Sequence, residues 1–508
     1  MKISKLIYLI SSVFFTVNVF AQIDGANLFS TDQVVSIELD FPQSDFWQQL
    51  QDNYEDIDVN GSVYIPANLT LTDLTGTYVF DSVGVRLKGN SSENHPGDKK
   101  SFKIDLNRFI TGQDYDGLKK LNFSNCFKDP TFMREKLFFD LCRERGVPAP
   151  RANYATVKYN GEDWGFYTLI EQIDDQFLDW RIGDDSGNLF KAGSNFGGGD
   201  GEANLVYLGL DQSLYESSYE LKSNQETDDW YDLIDFIYFL NSSSVAEFES
   251  DLPYRLDLPS FLSSIAFNNL FSNLDTYTMS ARNYYLYHNM VTDQWEWIKW
   301  DANETFGSYA FGVQTPMTSL PIDFYEGERP LLERVFESEL FMSQYTSEIC
   351  LLLNTVFNPA YLNPVIDDYK ALIEEYVYAD NNKMFSNNDF TTNIESNLGG
   401  GGGTIYGLKS FISQRFDYLS SAVDCSPFAS LDDYESEQIS VCPNPSADVI
   451  MLKGSIEYPM QYSLFGVDGK LIFDGVLNDL NARIDISGLS SNIYYLRLGN
   501  KSIKFVKQ

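Results

Sequence analysis

Two aspartates and two asparagines surround a pair of aromatic segments in the second half of the sequence. Asp275 precedes the segment YYLY, Asp301 follows the segment WEWIKW, and turn-forming residues separate the two segments. Aromatic and β-branched residues favour strands, so this pattern predicts a β-hairpin. Antiparallel pairing would bring both carboxylates to the same end of the hairpin, with Asn283 and Asn303 nearby. Mg²⁺ prefers oxygen ligands of this kind and usually also binds phosphate oxygens, which makes a metal-dependent site one interpretation.

A purely structural role is the other interpretation of these residues. Asp and Asn side chains close turns and cap helices by bonding to nearby backbone groups. The chain contains 73 acidic residues, so two of them beside an aromatic hairpin have no special meaning on composition alone.

A second polar segment connects two predicted strands nearer the N-terminus, over residues 83–89 and 101–107. It begins at Gly89, carries the hydroxyls of Ser91 and Ser92, and ends with Lys99 and Lys100. Backbone amides and an ammonium group in such a loop can bind phosphate. An ordinary hydrophilic hairpin loop has the same composition.

Three stretches of the sequence resemble the CotH (spore coat protein H) kinase family of atypical protein kinases. They are Arg86 to Ser92 with Lys99 to Ser101, Asn160 to Asp174, and Asp275 with Asn283 to Tyr287 and Trp300 to Gly307. The resemblance covers roughly residues 34–423. In the last stretch, Asn303 replaces the second Asp of the family's Trp-Asp-x-Asp-x-x-Phe-Gly motif, and this removes one carboxylate from the implied metal site.

The resemblance implies an α+β fold, in which an atypical, two-lobed protein-kinase-like domain is followed by a small all-β sandwich. It also implies a secreted enzyme that transfers the γ-phosphoryl group of ATP, with Mg²⁺ or alternatively Mn²⁺, to Ser or Thr of an exported protein. A catalytically weak or inactive kinase-fold protein that binds a partner at the cell surface is the alternative.

The site residues follow from the same resemblance. Asp275 would orient or deprotonate the acceptor hydroxyl, and Asp301 with Asn283 and Asn303 would form the metal site. Lys100 would bind the phosphates, with Lys103 as a second candidate for that role. The other expected nucleotide-binding residues are Arg86, Ser91, Ser92, Glu135 and Glu171.

The order of predicted elements gives two of these residues a position. Asp129 as N-cap, Pro130 and a stop at Gly146 predict a helix in which Glu135 could pair with a phosphate-binding lysine, as in protein kinases. Glu171 ends a predicted strand, where it would lie near the adenine or the junction of the lobes. The alternatives are an exposed helix-surface glutamate for Glu135 and a helix cap for Glu171.

The composition excludes some classes of partner. The chain has 36 basic and 73 acidic residues and a net charge of −37, which repels nucleic acid and anionic membrane surfaces. Its five cysteines are too few and too scattered for a disulfide framework or a zinc site, and their odd number leaves at least one unpaired.

The sequence divides into four segments. Residues 1–21 have the basic start, short apolar run and small-residue cleavage site of a signal peptide. Residues 22–425 form the kinase-like domain, 426–438 a polar linker, and 439–508 an all-β segment that resembles the type IX secretion C-terminal sorting domain. We therefore expect export through the periplasm, delivery by the type IX machinery to the cell surface or medium, and no membrane span.

Overall fold

The structure of the chain is a computed structural model. It describes residues 24–30, 33–55, 62–89, 91–193, 202–310, 312–400, 403–426, 440–442, 446, 449–453, 460–466, 470–477, 483–490, 492–498 and 501–507. The predicted signal peptide and all but the first residue of the predicted linker lie outside the described residues. The chain forms two compact units, residues 1–423 and 424–508.

The N-terminal part of the first unit is a closed barrel of seven strands, in the order β1-β2-β3-β4-β5-β7-β6. Alternate residues of the first strand, Val35, Ile37 and Leu39, are fully buried in the barrel core, as the period of two in a strand requires. The strands are β1 (Val34–Asp40), β2 (Ile65–Asp73), β3 (Gly76–Leu87), β4 (Phe102–Asp105), β5 (Lys120–Ser124), β6 (Ala152–Tyr159) and β7 (Glu162–Glu171). Parallel pairing of β1 with β6 closes the barrel. The two strands predicted on either side of the polar loop are thus confirmed as β3 and β4.

Two helices accompany the barrel strands, α1 (Phe46–Glu55) and α2 (Arg134–Glu144). The prediction that Asp129 caps α2 is wrong, because the helix begins at Arg134 with Met133 as N-cap. The Asp129 carboxylate accepts hydrogen bonds from the backbone N–H and the hydroxyl of Thr131, at 2.9 and 2.6 Å, and from the backbone N–H of Arg134, the first helical residue, at 3.0 Å. Asp129 therefore contacts the start of the helix from a turn that precedes it.

The rest of the first unit is a four-stranded sheet surrounded by helices. The sheet has the order β11-β10-β8-β9, with β8 (Leu189–Ala192), β9 (Tyr219–Leu221), β10 (Tyr284–Asn289) and β11 (Gln294–Lys299). Strands β10 and β11 form the predicted hairpin, with Tyr284 opposite Lys299 and Asn289 opposite Gln294. Stacking of the Tyr284 and Trp297 rings, with centroids 4.1 Å apart, shows why aromatic residues suit this buried sheet.

The helices of this part bury a large aromatic and aliphatic core with the sheet. They are α3 (Asp175–Arg181), α4 (Tyr231–Ser242), α5 (Val245–Arg255), α6 (Leu258–Leu270), α7 (Pro330–Glu337), α8 (Glu339–Asn354), α9 (Pro359–Ala379), α10 (Asn387–Glu395) and α11 (Leu408–Ala422). A two-stranded sheet of β12 (Leu398–Gly400) and β13 (Gly403–Ile405) lies between the last two. Within the described ranges, no single helix is long and apolar enough to span a membrane, although α8 and α9, bent by 60° at their junction, meet the length and composition criteria as a pair.

The described elements of the second unit are strands in two sheets, of three and four strands. They are β14 (Ser440–Cys442), β15 (Val449–Lys453), β16 (Met460–Gly466), β17 (Leu471–Leu477), β18 (Arg483–Asp485), β19 (Asn492–Leu498) and β20 (Lys501–Lys507). A compact apolar cluster that includes Ile450, Leu464 and Phe505 forms its core.

The cysteines divide into two kinds. Cys350 and Cys425 are disulfide-bonded, whereas Cys126 and Cys142 are buried free thiols. The expectation of an unpaired cysteine is therefore confirmed.

Candidate functional site

The hairpin brings the two predicted aspartates together. Asp301 lies two residues after β11, and Asp275, in the turn after α6, is held by Asn283 immediately before β10, at the same end of the hairpin. Burial raises the pKa of Asp301 to about 6, and repulsion from Asp275 contributes to this shift. Burial also raises the pKa of Asp275. Two carboxylates that share a buried site in this way are stabilised by any cation bound beside them.

The Asn283 side chain forms two hydrogen bonds with Asp275. Its amide nitrogen donates to the Asp275 backbone carbonyl at 2.9 Å and to Oδ2 at 3.1 Å. The opposite atom of the amide, Oδ1, is then the one that a cation can use. Asn303 is half-buried in the turn after Asp301.

The backbone at this site adopts left-handed conformations, with φ of 61° at Asn283 and 51° at Asp301. Asn and Asp tolerate such angles better than other residues with a side chain, but the conformation still costs free energy. Strained residues of this kind concentrate at functional sites because the surrounding structure holds them in place.

A lysine that the sequence analysis did not select lies near Asp301. Lys88, just after β3, interacts electrostatically with the carboxylates of both Glu135 and Asp301. Burial lowers the pKa of its ammonium group to about 8, against the effect of these carboxylates, which raise it. Its nitrogen also lies 5.3 Å from the centre of the Trp300 ring. The sequence signal for Lys88 is its position at the end of a strand, immediately before Gly89.

Glu135 lies in the first turn of α2 and is buried, not exposed on the helix surface. Burial raises its pKa to about 8, and repulsion from Asp301 adds to the shift. Lys88 and hydrogen bonds from the Ala302 backbone and the Ser124 side chain lower the pKa. The helix acid thus faces Lys88 and Asp301.

Arg86 and Lys103 add positive charge on the barrel side. They lie directly opposite each other on β3 and β4. Burial lowers the pKa of Lys103 well below its usual value, and the charges of Arg86, Lys120 and Lys88 lower it further. Like charges opposite each other destabilise a sheet, so an anion such as phosphate would relieve the repulsion. The Lys103 ammonium itself donates to Gln172 Oε1 at 2.7 Å.

Lys100 is held by its own loop. Its ammonium group donates to the backbone carbonyls of Glu93 at 2.5 Å and His95 at 3.1 Å, and it lies 3.4 Å from a carboxylate oxygen of Glu93. The Ser92 backbone carbonyl accepts from Asn125 Nδ2 at 3.0 Å. The Ser91 side chain lies outside the described part of the chain.

Glu171, the last residue of β7, is part of a buried ion pair. Its carboxylate lies 2.5 Å from Arg151 Nη2 and accepts from the Trp180 indole at 2.9 Å and from the Arg151 backbone at 2.9 Å. It does not cap α3, whose N-cap is Asp174.

The acidic groups do not form a ready-made metal cage. Within the described ranges, no three His, Cys, Asp or Glu side chains converge closely enough to hold an ion by themselves. Mg²⁺ seldom needs such a cage, since one or two carboxylates, water and substrate phosphates usually complete its shell.

Comparisons with known proteins give two family matches and one relative. Residues 85–419 match the family described as CotH kinase protein, and residues 440–508 match the secretion system C-terminal sorting domain. The inner spore coat protein H of Bacillus subtilis (strain 168) is 29% identical over 286 residues, which are 56% of this chain and 74% of that protein. The first match includes every predicted site residue from Arg86 to Asn303.

Proposed function

The chain belongs to the CotH kinase protein family, and from this membership we propose that it transfers the γ-phosphoryl group of ATP to Ser or Thr hydroxyls of exported proteins. In this proposal the barrel and the helical part of the first unit correspond to the two lobes of a kinase-like domain. The C-terminal sorting domain supports secretion or a location at the cell surface through type IX machinery. Export through the periplasm, directed by a signal peptide over residues 1–21, completes the proposal.

The observation that carries the proposal is the meeting of opposite charges around Asp301. This half-buried carboxylate interacts with Asp275, with Lys88 and with Lys191 of β8. Phosphoryl transfer requires little covalent chemistry from the protein and depends on positioning and on neutralising the charge of the phosphates. Adjacent half-buried acids and cations meet both requirements.

Asp275 is the residue that we assign to the acceptor hydroxyl. It accepts the proton of the Ser or Thr hydroxyl as the new Oγ–P bond forms. The bond between the γ-phosphorus and the β,γ-bridging oxygen breaks at the same time, and ADP leaves with the bonding electron pair. Burial raises the pKa of Asp275, which makes this carboxylate a better base than an exposed one.

The Asp301 carboxylate and the amide oxygen of Asn283 suit a hard cation, because both are oxygen ligands that lie near Asp275. We assign them to Mg²⁺, with Mn²⁺ as an alternative; the ion, when bound, would neutralise the charge of the phosphates. Asn303 contributes no charge to this group, so the metal site has one carboxylate fewer than the family motif provides.

Three basic side chains would together neutralise the negative charge of the nucleotide in this proposal. We assign Lys88 to the phosphates because it faces Asp301 and Glu135, as the strand lysine of a protein kinase faces its helix glutamate. Arg86 and Lys103, opposite each other on neighbouring strands, extend the positive surface. Lys100 and Glu171 are held by local contacts. In this proposal Lys100 stabilises its loop and Glu171 stabilises the end of the barrel.

The alternative is a kinase-fold protein that binds a surface partner without catalysis. The loss of a carboxylate at Asn303 favours it. The two functions predict different results when the full chain and its Asp275→Asn variant are incubated with γ-radiolabelled ATP, Mg²⁺ and the protein fraction that the source cells export.

We expect wild type to place label on Ser or Thr, and Asp275→Asn to label at least about 100-fold more slowly, the usual scale for a general base. Equal labelling by both proteins, or no labelling by wild type, would contradict the kinase function.

A further inference from the structure

Glu304 is a buried carboxylate that the assigned site residues leave out. It lies three residues after Asp301, in a turn where the Thr305 backbone donates to the Ala302 carbonyl at 3.3 Å. The residue is only 3% exposed. Its Oε1 accepts a hydrogen bond from the Lys128 ammonium at 2.9 Å, whereas its Oε2 is buried without a hydrogen-bond partner among the described residues. A buried charged oxygen without a partner is costly, so this atom requires an explanation.

The Glu304 carboxylate lies close enough to the two aspartates to interact with both of them electrostatically. Glu304 repels both Asp275 and Asp301 electrostatically. The Lys128 ammonium, on a side chain that is 46% exposed to solvent, and the buried Arg134 guanidinium offset part of this repulsion. A cation beside Oε2 would satisfy this atom and reduce the repulsion among all three acids.

We propose that Glu304 supplies the second carboxylate of the metal site, in place of the Asp that the family motif has at position 303. This inference rests on the proposed function, since it concerns the ion that accompanies ATP. Oε2 binds the ion directly or through one of its waters, while Lys128 holds Oε1 and fixes the orientation of the group. Mg²⁺ and Mn²⁺ accept carboxylate ligands in combination with amide oxygens, water and phosphate.

A structural role for Glu304 predicts different behaviour. If the glutamate served only to hold Lys128, then loss of either partner would have the same effect. Under the proposal the effects differ in size, because Glu304→Gln removes the ligand itself, whereas Lys128→Met removes only the hydrogen-bond partner of its other oxygen.

The test measures Mn²⁺ binding to the full chain by electron paramagnetic resonance, once with Mn²⁺ alone and once with a non-hydrolysable ATP analogue. Loss of an outer partner of a metal ligand already weakens binding by about 10- to 100-fold. We therefore expect Glu304→Gln to weaken Mn²⁺ binding by about tenfold or more, and Asn303→Asp in the same chain to restore most of it. Lys128→Met should weaken Mn²⁺ binding less than Glu304→Gln does, because the ligand atom Oε2 is still present. Circular dichroism checks that each variant is folded.

Several results would overturn the inference. These are equal Mn²⁺ affinity of wild type and Glu304→Gln in both arms, binding by Lys128→Met that is as weak as that by Glu304→Gln, and no Mn²⁺ binding by wild type in either arm. If Glu304→Gln binds Mn²⁺ and the ATP analogue as tightly as wild type does, the inference about Glu304 is wrong, whereas the proposed function still stands. Mn²⁺ binding that depends on Glu304, without any analogue binding, supports the metal site and removes the kinase function.

Discussion

The lysine just after β3 has different contacts from the two lysines that follow it in the next loop. Lys88 faces Glu135 and Asp301, Lys99 is buried against Asp380 at 2.7 Å, and Lys100 donates to carbonyls of its own loop. Only the first of these ammonium groups is directed toward the acidic site. We therefore expect the phosphates of ATP to bind beside Lys88 and not beside Lys99 or Lys100.

We predict that Lys88→Met weakens ATP binding by about 1–3 kcal/mol, the scale for removing a charged hydrogen-bond partner. Lys100→Met is the matched control and should change affinity by less than about 0.5 kcal/mol. Lys103→Met should have a smaller effect than Lys88→Met, because Gln172 already accepts from that ammonium. Calorimetric titration of the three variants measures these differences, and a loss confined to Lys100→Met would restore the assignment implied by the family motif.

The sequence predicts some of these residues better than others. Asp275 and Asp301 can be paired from sequence because they flank a short hairpin, whose strands must meet locally. Lys88 cannot be separated from Lys99 and Lys100 in that way. The partner that removes Lys99 from the site, Asp380, is 281 positions away, and no local pattern reports such a distant contact.

The same contrast holds for the elements. The hairpin β10–β11 and the strands β3 and β4 were predicted from local alternation and aromatic content, and the structure confirms them. Strand β5 and the closure of the barrel were not predicted. Closure depends on parallel pairing between β1 and β6, and these strands are more than 100 residues apart in the sequence. The strand propensity of single residues carries no information about such distant pairing. The predicted N-cap of α2, Asp129, was wrong because the Asp129 side chain closes a local turn with Thr131 before the helix begins.

One buried ion pair connects the barrel to the helical part of the first unit. Lys99, in the loop before β4, and Asp380, just after α9, are both almost fully buried. Asp380 also accepts from the Phe166 backbone of β7 at 3.0 Å. Loss of one partner leaves a charge without compensation in the interior, which is much more costly than loss of an exposed pair.

We predict that Lys99→Met lowers the free energy of unfolding by about 3–5 kcal/mol. The matched control is Lys158→Met, since Lys158 pairs with Asp163 on the surface, and its effect should stay below about 1 kcal/mol. Urea unfolding followed by tryptophan fluorescence measures both changes. Equal stability of the two variants would contradict the structural role of the buried pair.

At the scale of the whole molecule, charge and domain order agree with a protein that acts outside the cytoplasm. The net charge of −37 favours solubility and opposes binding to nucleic acid. The sorting domain over residues 440–508 indicates that the CotH family domain is cargo for the secretion machinery. The sequence predicted this order from a change of pattern near residue 439, because alternating strands differ clearly from the helical spacing before them.

We predict that deletion of residues 439–508 retains the protein in the periplasm, because the address read by the type IX machinery is then missing. Cell fractionation and immunoblotting measure the location. The Asp275→Asn variant of the full chain is the control and should reach the surface or medium like wild type. Normal delivery of the truncated chain would contradict the sorting function.

The central claim is that Asp275 and Asp301 share one nucleotide site but act at different steps, and calorimetric titration with ATP in millimolar Mg²⁺ tests it most directly. Wild type should bind ATP only when Mg²⁺ is present, Asp301→Asn should lose this binding, and Asp275→Asn should retain it, because its role begins once the acceptor hydroxyl is in place. Absence of ATP binding by wild type, or binding that does not depend on Mg²⁺ and Asp301, would contradict the account.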